Sequence, residues 1–326
     1  MNKSIIRVFF ILLFTLCIGF TAVQANTIQM RIGGDQPAGA PGEKSFSFFA
    51  ERMKEESDGQ IIVTVYPNAV LGDNLELIEQ VQAGVLEMST ASMGWLSSFV
   101  PLVDVFSTPY LFRDKDHYWK VLDGEVGREI AQQIEEGAGV KLLYWIDAGS
   151  RSFYNNVRPI KSPEDLNGLK IRVMGSPIMI QTMEAFGASP TTTSFDEVYS
   201  ALQTGIIDGA ENNPPSIDMM KHNEVSKYFS LDEHMMVPDC CIINIDVWNN
   251  LTPEQQEIFI KVSKEAQEFA KEEWARQEEK ALEVIRENTE INSIPDKSRF
   301  IEAVKPLQQE LDKKFDGYIG KIQAVK

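Results

Sequence analysis

Cysteine and histidine are scarce: the 326-residue chain holds three of each. Cys240 and Cys241 are adjacent, so a bond between them would strain the backbone. With Cys17 inside an N-terminal apolar run, no disulfide framework is available. Within Cys-Cys-Ile-Ile-Asn-Ile the pair reads as small apolar residues of a buried strand. His117, His222 and His234 lie far apart without ligand spacing, which argues against a metal site. There is no Gly-x-Ser-x-Gly, no Walker loop and no Gly-x-Gly-x-x-Gly after a strand, and Gly33-Gly34 is too little to cradle a phosphate. These absences count against the common enzyme classes and call for no cofactor. Basic residues are also in deficit, 31 against 48 acidic ones, for a formal charge of −17. A surface this acidic repels nucleic acid and anionic membrane. No internal repeat or low-complexity tract is visible.

One long hydrophobic run is present, at residues 5–22, with Lys3 and Arg7 before and inside it. Val23-Gln24-Ala25 follows as a small-x-Ala site, so the segment reads as a secretory signal peptide, residues 1–25, cleaved after Ala25. The competing reading is a membrane anchor, since the run nearly reaches spanning length. A lipoprotein at Cys17 is disfavoured by Leu16, where lipidation prefers a small residue. Cleavage leaves 29 basic against 48 acidic residues, a formal charge of −19. An acidic protein that binds an anion must concentrate positive charge locally, so individual arginines become worth finding.

About 300 mature residues exceed one ordinary core, and two domains are expected. Strand signals at 28–33 and 60–66 alternate with helix signals at 42–58 and after Asp73, where Leu75, Ile78, Val81 and Val85 make an apolar stripe. A second alternating unit begins near Leu142, with strands at 141–146, 169–174 and 206–210, a turn or short strand at 149–156, and a helix at 176–186. Ser194 and Glu197 predict a capping box for a helix at 195–204. Such alternation implies an α/β fold with largely parallel sheets. Thr252, Pro253 and Gln255 then start a stretch free of proline and glycine to Pro295. Read as one helix over 253–288, it is about 54 Å long at 1.5 Å per residue. That is either a spine across both domains or two helices with an unseen break.

Arg172 lies near the C-terminal end of the 169–174 strand, sharing a face with Lys170 and Met174. Ligands bind at that end of open parallel sheets, and a guanidinium fork suits a carboxylate. A surface arginine on an edge strand fits the pattern equally well. Arg151 sits in a loop at the crossing into the second unit. Asn212, in the polar turn before Pro214-Pro215, offers a donor and an acceptor, or serves only the turn. Phe195 is a ligand platform or plain core.

Five segments, in order, carry a resemblance: 149–155 (GSRSFYN), 165–173 (DLNGLKIRV), 187–190 (GASP), 195–205 (FDEVYSALQTG) and 208–212 (DGAEN). With Tyr66-Pro67 and Leu71-Gly72-Asp73 upstream, the set resembles the solute-binding subunit of tripartite ATP-independent periplasmic (TRAP) transporters over essentially the whole mature chain. The resemblance implies a two-lobed periplasmic binding protein of the Venus-flytrap kind, with a hinge and a long helix across both lobes. Lobe I would be 26–149 plus 238–277, and lobe II 150–237 plus 278–326. It implies that Arg172 clamps a ligand carboxylate, that Arg151 and Asn212 bind ligand, and that Phe195 lines the pocket. Asp35, Asn74 and Ser92 fall where sialic-acid-binding members place polar contacts. Ser92 replaces an acidic residue of those members, which argues against sialic acid. The stretches 150–156, 211–215 and 230–234 look like the hexuronate-binding branch, while a C4-dicarboxylate stays open.

The implied mechanism is hinge closure on a small carboxylate, followed by docking on the membrane subunits of the transporter, with the receptor a monomer in the periplasm. A periplasmic enzyme acting on uronates, using an arginine and a tyrosine such as Tyr154, is the rival from another class. A ligand-binding partner of a sensor kinase is a second.

Overall fold

A computed structural model of the chain describes residues 27–326. The expected signal peptide and its cleavage point lie outside the described residues. Among the described residues no helix is long and apolar enough to cross a membrane.

Two sheets form. The first contains β1 (Ile28–Gly33), β2 (Ile61–Tyr66), β3 (Met88–Ser92) and β4 (Val140–Ile146). The second contains β5 (Arg151–Asn155), β6 (Lys170–Val173), β7 (Ser189–Thr192), β8 (Gly209–Asn212) and β9 (Tyr228–Met235). The chain then returns to the first sheet with β10 (Asp239–Asn244) and to the second with β11 (Glu290–Ser293). The orders are β2-β1-β3-β10-β4 and β11-β9-β5-β8-β6-β7.

Each sheet is parallel except for one strand, and that strand has just crossed from the other sheet. β5 runs antiparallel to both β8 and β9, and β10 runs antiparallel to both β3 and β4. Only residues 147–150 separate β4 from β5, and only 236–238 separate β9 from β10. At about 3.3–3.6 Å per residue these links are too short to turn the chain around. Each crossing strand therefore leaves the C-terminal edge of one sheet and enters the C-terminal edge of the other. The two C-terminal edges are thereby brought face to face.

A helix covers both units. Pro253–Asn288 is one continuous helix, started by the reciprocal capping box of Thr252 and Gln255. Its first half buries Phe259, Val262 and Ala266 with Phe49 and Tyr144 against the first sheet. Near its end Ile285 packs with Tyr154 and Phe229 on the second. The spine reading of the sequence is the correct one. Midway, Trp274 is buried against Gly149 in the first crossing, and Lys44 from helix Pro41–Glu56 pairs with buried Glu273. The C-terminal helix Tyr318–Gln323 folds back, and Arg113 and His117 bond its last carbonyls at 2.7 and 3.0 Å.

Three local expectations shift. The helix capped by Asp73 spans Asn74–Gln82 and ends before Gly84, whose φ of +68° breaks it. Val85 falls beyond that end and is exposed, and Leu77 takes its place in the buried stripe. The next helix is Val198–Thr204, with Glu197 at its N-cap. Residues 193–197 form a turn instead of its first coil. The strand expected at 206–210 is β8, Gly209–Asn212, and Ile206 is exposed. By contrast Cys240 and Cys241 are free and buried in β10, as expected.

Gly149 adopts a φ of +61°, and an added Cβ would lie 2.8 Å from the Trp274 ring. Gly168 has a φ of +76° with open space around it. Gly149→Ala should lose about 2–4 kcal/mol through backbone strain plus overpacking, against about 1–2 for Gly168→Ala from strain alone. Urea denaturation of the two variants checks this, and equal losses would mean the Trp274 contact gives way freely.

Candidate functional site

The facing sheet edges border a small, partly open cavity of about 40 Å³. From the first sheet, Asp35 follows β1, Asn74 heads the helix after β2, and Ser92 ends β3. From the second, Arg151 begins β5, Arg172 lies near the end of β6, Asn212 ends β8, and Phe195 follows β7. The structure thus brings all seven sequence-predicted residues to one cavity. This is the C-terminal edge at which α/β sheets bind ligands.

Arg172 is the most telling of them. β6 lies inside the sheet between β8 and β7, so the surface-arginine alternative does not hold, and the side chain is 1% exposed. Its guanidinium donates from Nε and Nη2 to the carbonyl of Thr193 at 2.9 and 2.5 Å. Among the described residues it has no carboxylate partner. Burial accordingly pushes its pKa down to about 10. A buried cation held only by a carbonyl is costly, and an incoming anion relieves that cost.

Arg151 is held differently. Its Nε and Nη2 grip the two carboxylate oxygens of Glu211 at 2.5 and 2.9 Å, and both residues are buried. Behind Glu211, 3.6 Å away, stands His234 Nε2, whose Nδ1 lies 2.8 Å from Asp232. Burial would lower the His234 pKa, but the two carboxylates overcome it and raise it to about 9. Burial would likewise raise Glu211, and Arg151 with His234 holds it below the usual range. The row Arg151–Glu211–His234–Asp232 alternates sign through the interior and fixes the guanidinium at the cavity wall.

The remaining groups are set by their neighbours. The Oδ1 of Asn212 accepts from the amide and side chain of Asn213 at 2.9 and 3.0 Å, which leaves its NH₂ as a donor. The Phe195 ring meets His222 edge-on at 5.7 Å, and His222 Nδ1 lies 2.9 Å from the Tyr154 hydroxyl. Asn74 donates to Asp35 at 3.2 Å and accepts from the Ser92 amide at 3.0 Å. The two walls touch, because the Ser92 hydroxyl donates to Met174 Sδ at 3.4 Å and the Trp95 ring lies flush against Gly175.

Sequence reasoning missed Asp239 and Trp95 as cavity-lining residues, and Glu211 and His234 as the groups that brace Arg151. Asp239 lines the cavity as the first residue of β10, directly opposite Ser92 in the ladder. Its neighbourhood reads only as an apolar strand until the β3–β10 register is known. Asp232 and His234 carried a usable signal, since a two-residue spacing in a strand puts both on one face.

A two-lobed fold with a polar, guanidinium-bearing cavity between the lobes defines a solute receptor. Residues 32–314 match the family described as bacterial extracellular solute-binding protein, family 7 (DctP). The chain belongs to that family and is a TRAP solute receptor. It is 34% identical over 278 residues to a solute-binding protein of Chromohalobacter salexigens, covering 84% of this chain and 82% of that one. A TRAP periplasmic solute-binding protein of Roseobacter denitrificans with bound β-D-glucuronate superposes with a TM-score of 0.88, at 33% identity, over 91% of this chain and 100% of the other. One from Sulfitobacter sp. NAS-14.1 with bound β-D-galacturonate gives 0.87 and 34% over 91% and 98%.

The buried row makes stability depend on pH. A group whose folded pKa is raised contributes stability that is complete below its unfolded pKa, near 6.5, and lost as pH rises through about 9. His234→Gln should therefore cost about 3–5 kcal/mol at pH 6.5 by leaving the carboxylates short of a cation. The gap in Tm to the natural protein should narrow toward pH 9.5. A gap that stays constant from 6.5 to 9.5 would show that His234 carries no charge.

Proposed function

We propose that this receptor captures a hexuronate, D-glucuronate or D-galacturonate, by closing its two lobes on the sugar acid. The carrying observation is Arg172, a buried guanidinium at the interlobe cavity with only the Thr193 carbonyl for company. In this reading Arg172 clamps the carboxylate and Arg151, braced by Glu211, supplies the second contact. Asn212 and, from the other lobe, Asp35, Asn74 and Ser92 meet hydroxyls, with Phe195 against the ring. The lobes divide at 149/150, 237/238 and 277/278. Two solved relatives that hold glucuronate and galacturonate support the choice over a C4-dicarboxylate.

The protein acts as a receptor and not as an enzyme. Tyr154, the tyrosine an enzymatic reading would use, is buried, sits 2.9 Å from His222 and does not line the cavity. The acidic surface, −17 for the full chain, suits neither nucleic acid nor anionic membrane. The working form is a periplasmic monomer, cleaved after Ala25, that delivers its ligand to the membrane subunits of a TRAP transporter.

Calorimetry on the mature protein should show binding of D-glucuronate or D-galacturonate, and both sugars should raise Tm. Arg172→Ala should weaken binding by about 2–5 kcal/mol, the cost of stripping one partner from a buried charged pair. Arg172→Lys should recover part of it, because a point charge lacks the fork. NMR of the sugar after long incubation should show it unchanged. Turnover would sink the receptor reading, and a response to dicarboxylates alone would sink the uronate.

A further inference from the structure

The walls of the cavity differ in charge. The second sheet presents Arg151 and Arg172, while the first presents Asp35 and Asp239. Arg151 is already matched by Glu211, and His234 by Asp232. Arg172 is then the one cation of the cavity wall, among the described residues, without a carboxylate partner. The site has one positive charge to offer a ligand.

On the acidic wall, Asp35 and Asp239 stand on the same sheet edge, two strands apart. Asp35 follows β1, Asp239 opens β10, and β3 lies between them in the strand order. The two also share the lining of a smaller recess behind the main cavity. Asp35 has an Asn74 amide and Asp239 faces Ser92, but neither forms a salt bridge among the described residues. Burial, and next the charge of Asp35, push the Asp239 carboxyl up to about 7. An acid so placed resists any further negative charge. Carboxylates accept hydrogen bonds and repel anions, so this wall welcomes hydroxyl donors and rejects a second carboxylate.

We infer that Asp239, together with Asp35, is a specificity-determining element that restricts this receptor to singly charged sugar acids and excludes doubly charged ones. The inference rests on the uronate reading and adds the class that is refused. A hexuronate and the aldarate made by oxidising its C1 share six carbons, but the aldarate is open-chain and carries a second carboxylate where the uronate has its anomeric centre. Charge-removing variants of the wall separate the effect of that charge from the loss of the ring. With the first carboxylate on Arg172, that second charge would face Asp35 and Asp239. Rejection arises from an unfavourable contact with the wrong ligand and not from extra attraction to the right one.

The test is calorimetry at pH 8 with D-glucuronate, D-galacturonate, D-glucarate and galactarate on the mature protein. The natural protein should bind a uronate at least 100-fold more tightly than its aldarate. Asp239→Asn keeps side-chain shape and removes one charge, and it should reduce that ratio at least 10-fold by tightening aldarate binding. Asp35→Asn should lower the ratio as well, with some loss of uronate affinity because Asp35 also meets a hydroxyl. Comparable affinities for uronate and aldarate in the natural protein would overturn the inference without any variant. So would an unchanged ratio in both variants that still fold and bind uronate. If the natural protein binds no uronate at all, the uronate reading itself falls, which is a separate outcome.

Discussion

Two short links govern this molecule. With four residues from β4 to β5 and three from β9 to β10, the chain cannot reverse between sheets, so each crossing strand must run against the grain of the sheet it joins. That single geometric demand places both C-terminal edges opposite one another. The residues lining the cavity sit there, including some more than 200 positions apart such as Asp35 and Asp239. A site between lobes is therefore a consequence of connectivity, and side-chain chemistry only decides what the site accepts. The spine helix completes the arrangement by packing on both sheets at once, with Trp274 lodged against the glycine of the first link.

Within that frame the second sheet treats its two arginines unequally. Arg151 is embedded in a row of alternating charges and is rigid and neutralised. Arg172 is buried with a carbonyl as its named partner. A buried guanidinium with no protein carboxylate beside it is electrostatically costly, and packing elsewhere in the fold offsets that cost. The contrast separates two tasks: one arginine shapes the wall, the other leaves an attraction unmet.

Much of the site was legible before the structure. Arg172 could be placed at a strand's ligand-facing end by the two-residue period, and Thr252 with Gln255 announced the spine helix through its capping box. What resisted reading depended on register or long-range packing. Asp239 becomes a cavity residue only when β10 pairs with β3, and Arg172 becomes interior only when β7 adds outside β6. Val85 shows the limit of periodicity: it continues an apolar stripe, but Gly84 ends the helix first, and local backbone freedom outranks pattern. The turn at 193–197 failed for a related reason. The helix begins only at Val198, with Glu197 in the N-cap position but making no side-chain cap bond, and the residues before it instead supply the Thr193 carbonyl and the Phe195 ring.

The neighbouring thiols of Cys240 and Cys241 have a bearing on the life of the chain before it folds. Both are fully enclosed in β10, the strand that returns from the second sheet and is sandwiched between β3 and β4. In an oxidising compartment an unfolded copy would offer two reactive sulfurs to any other chain. Those sulfurs are enclosed only once β10 sits between β3 and β4. Completion of the first sheet is thus a chemical safeguard as well as a mechanical one.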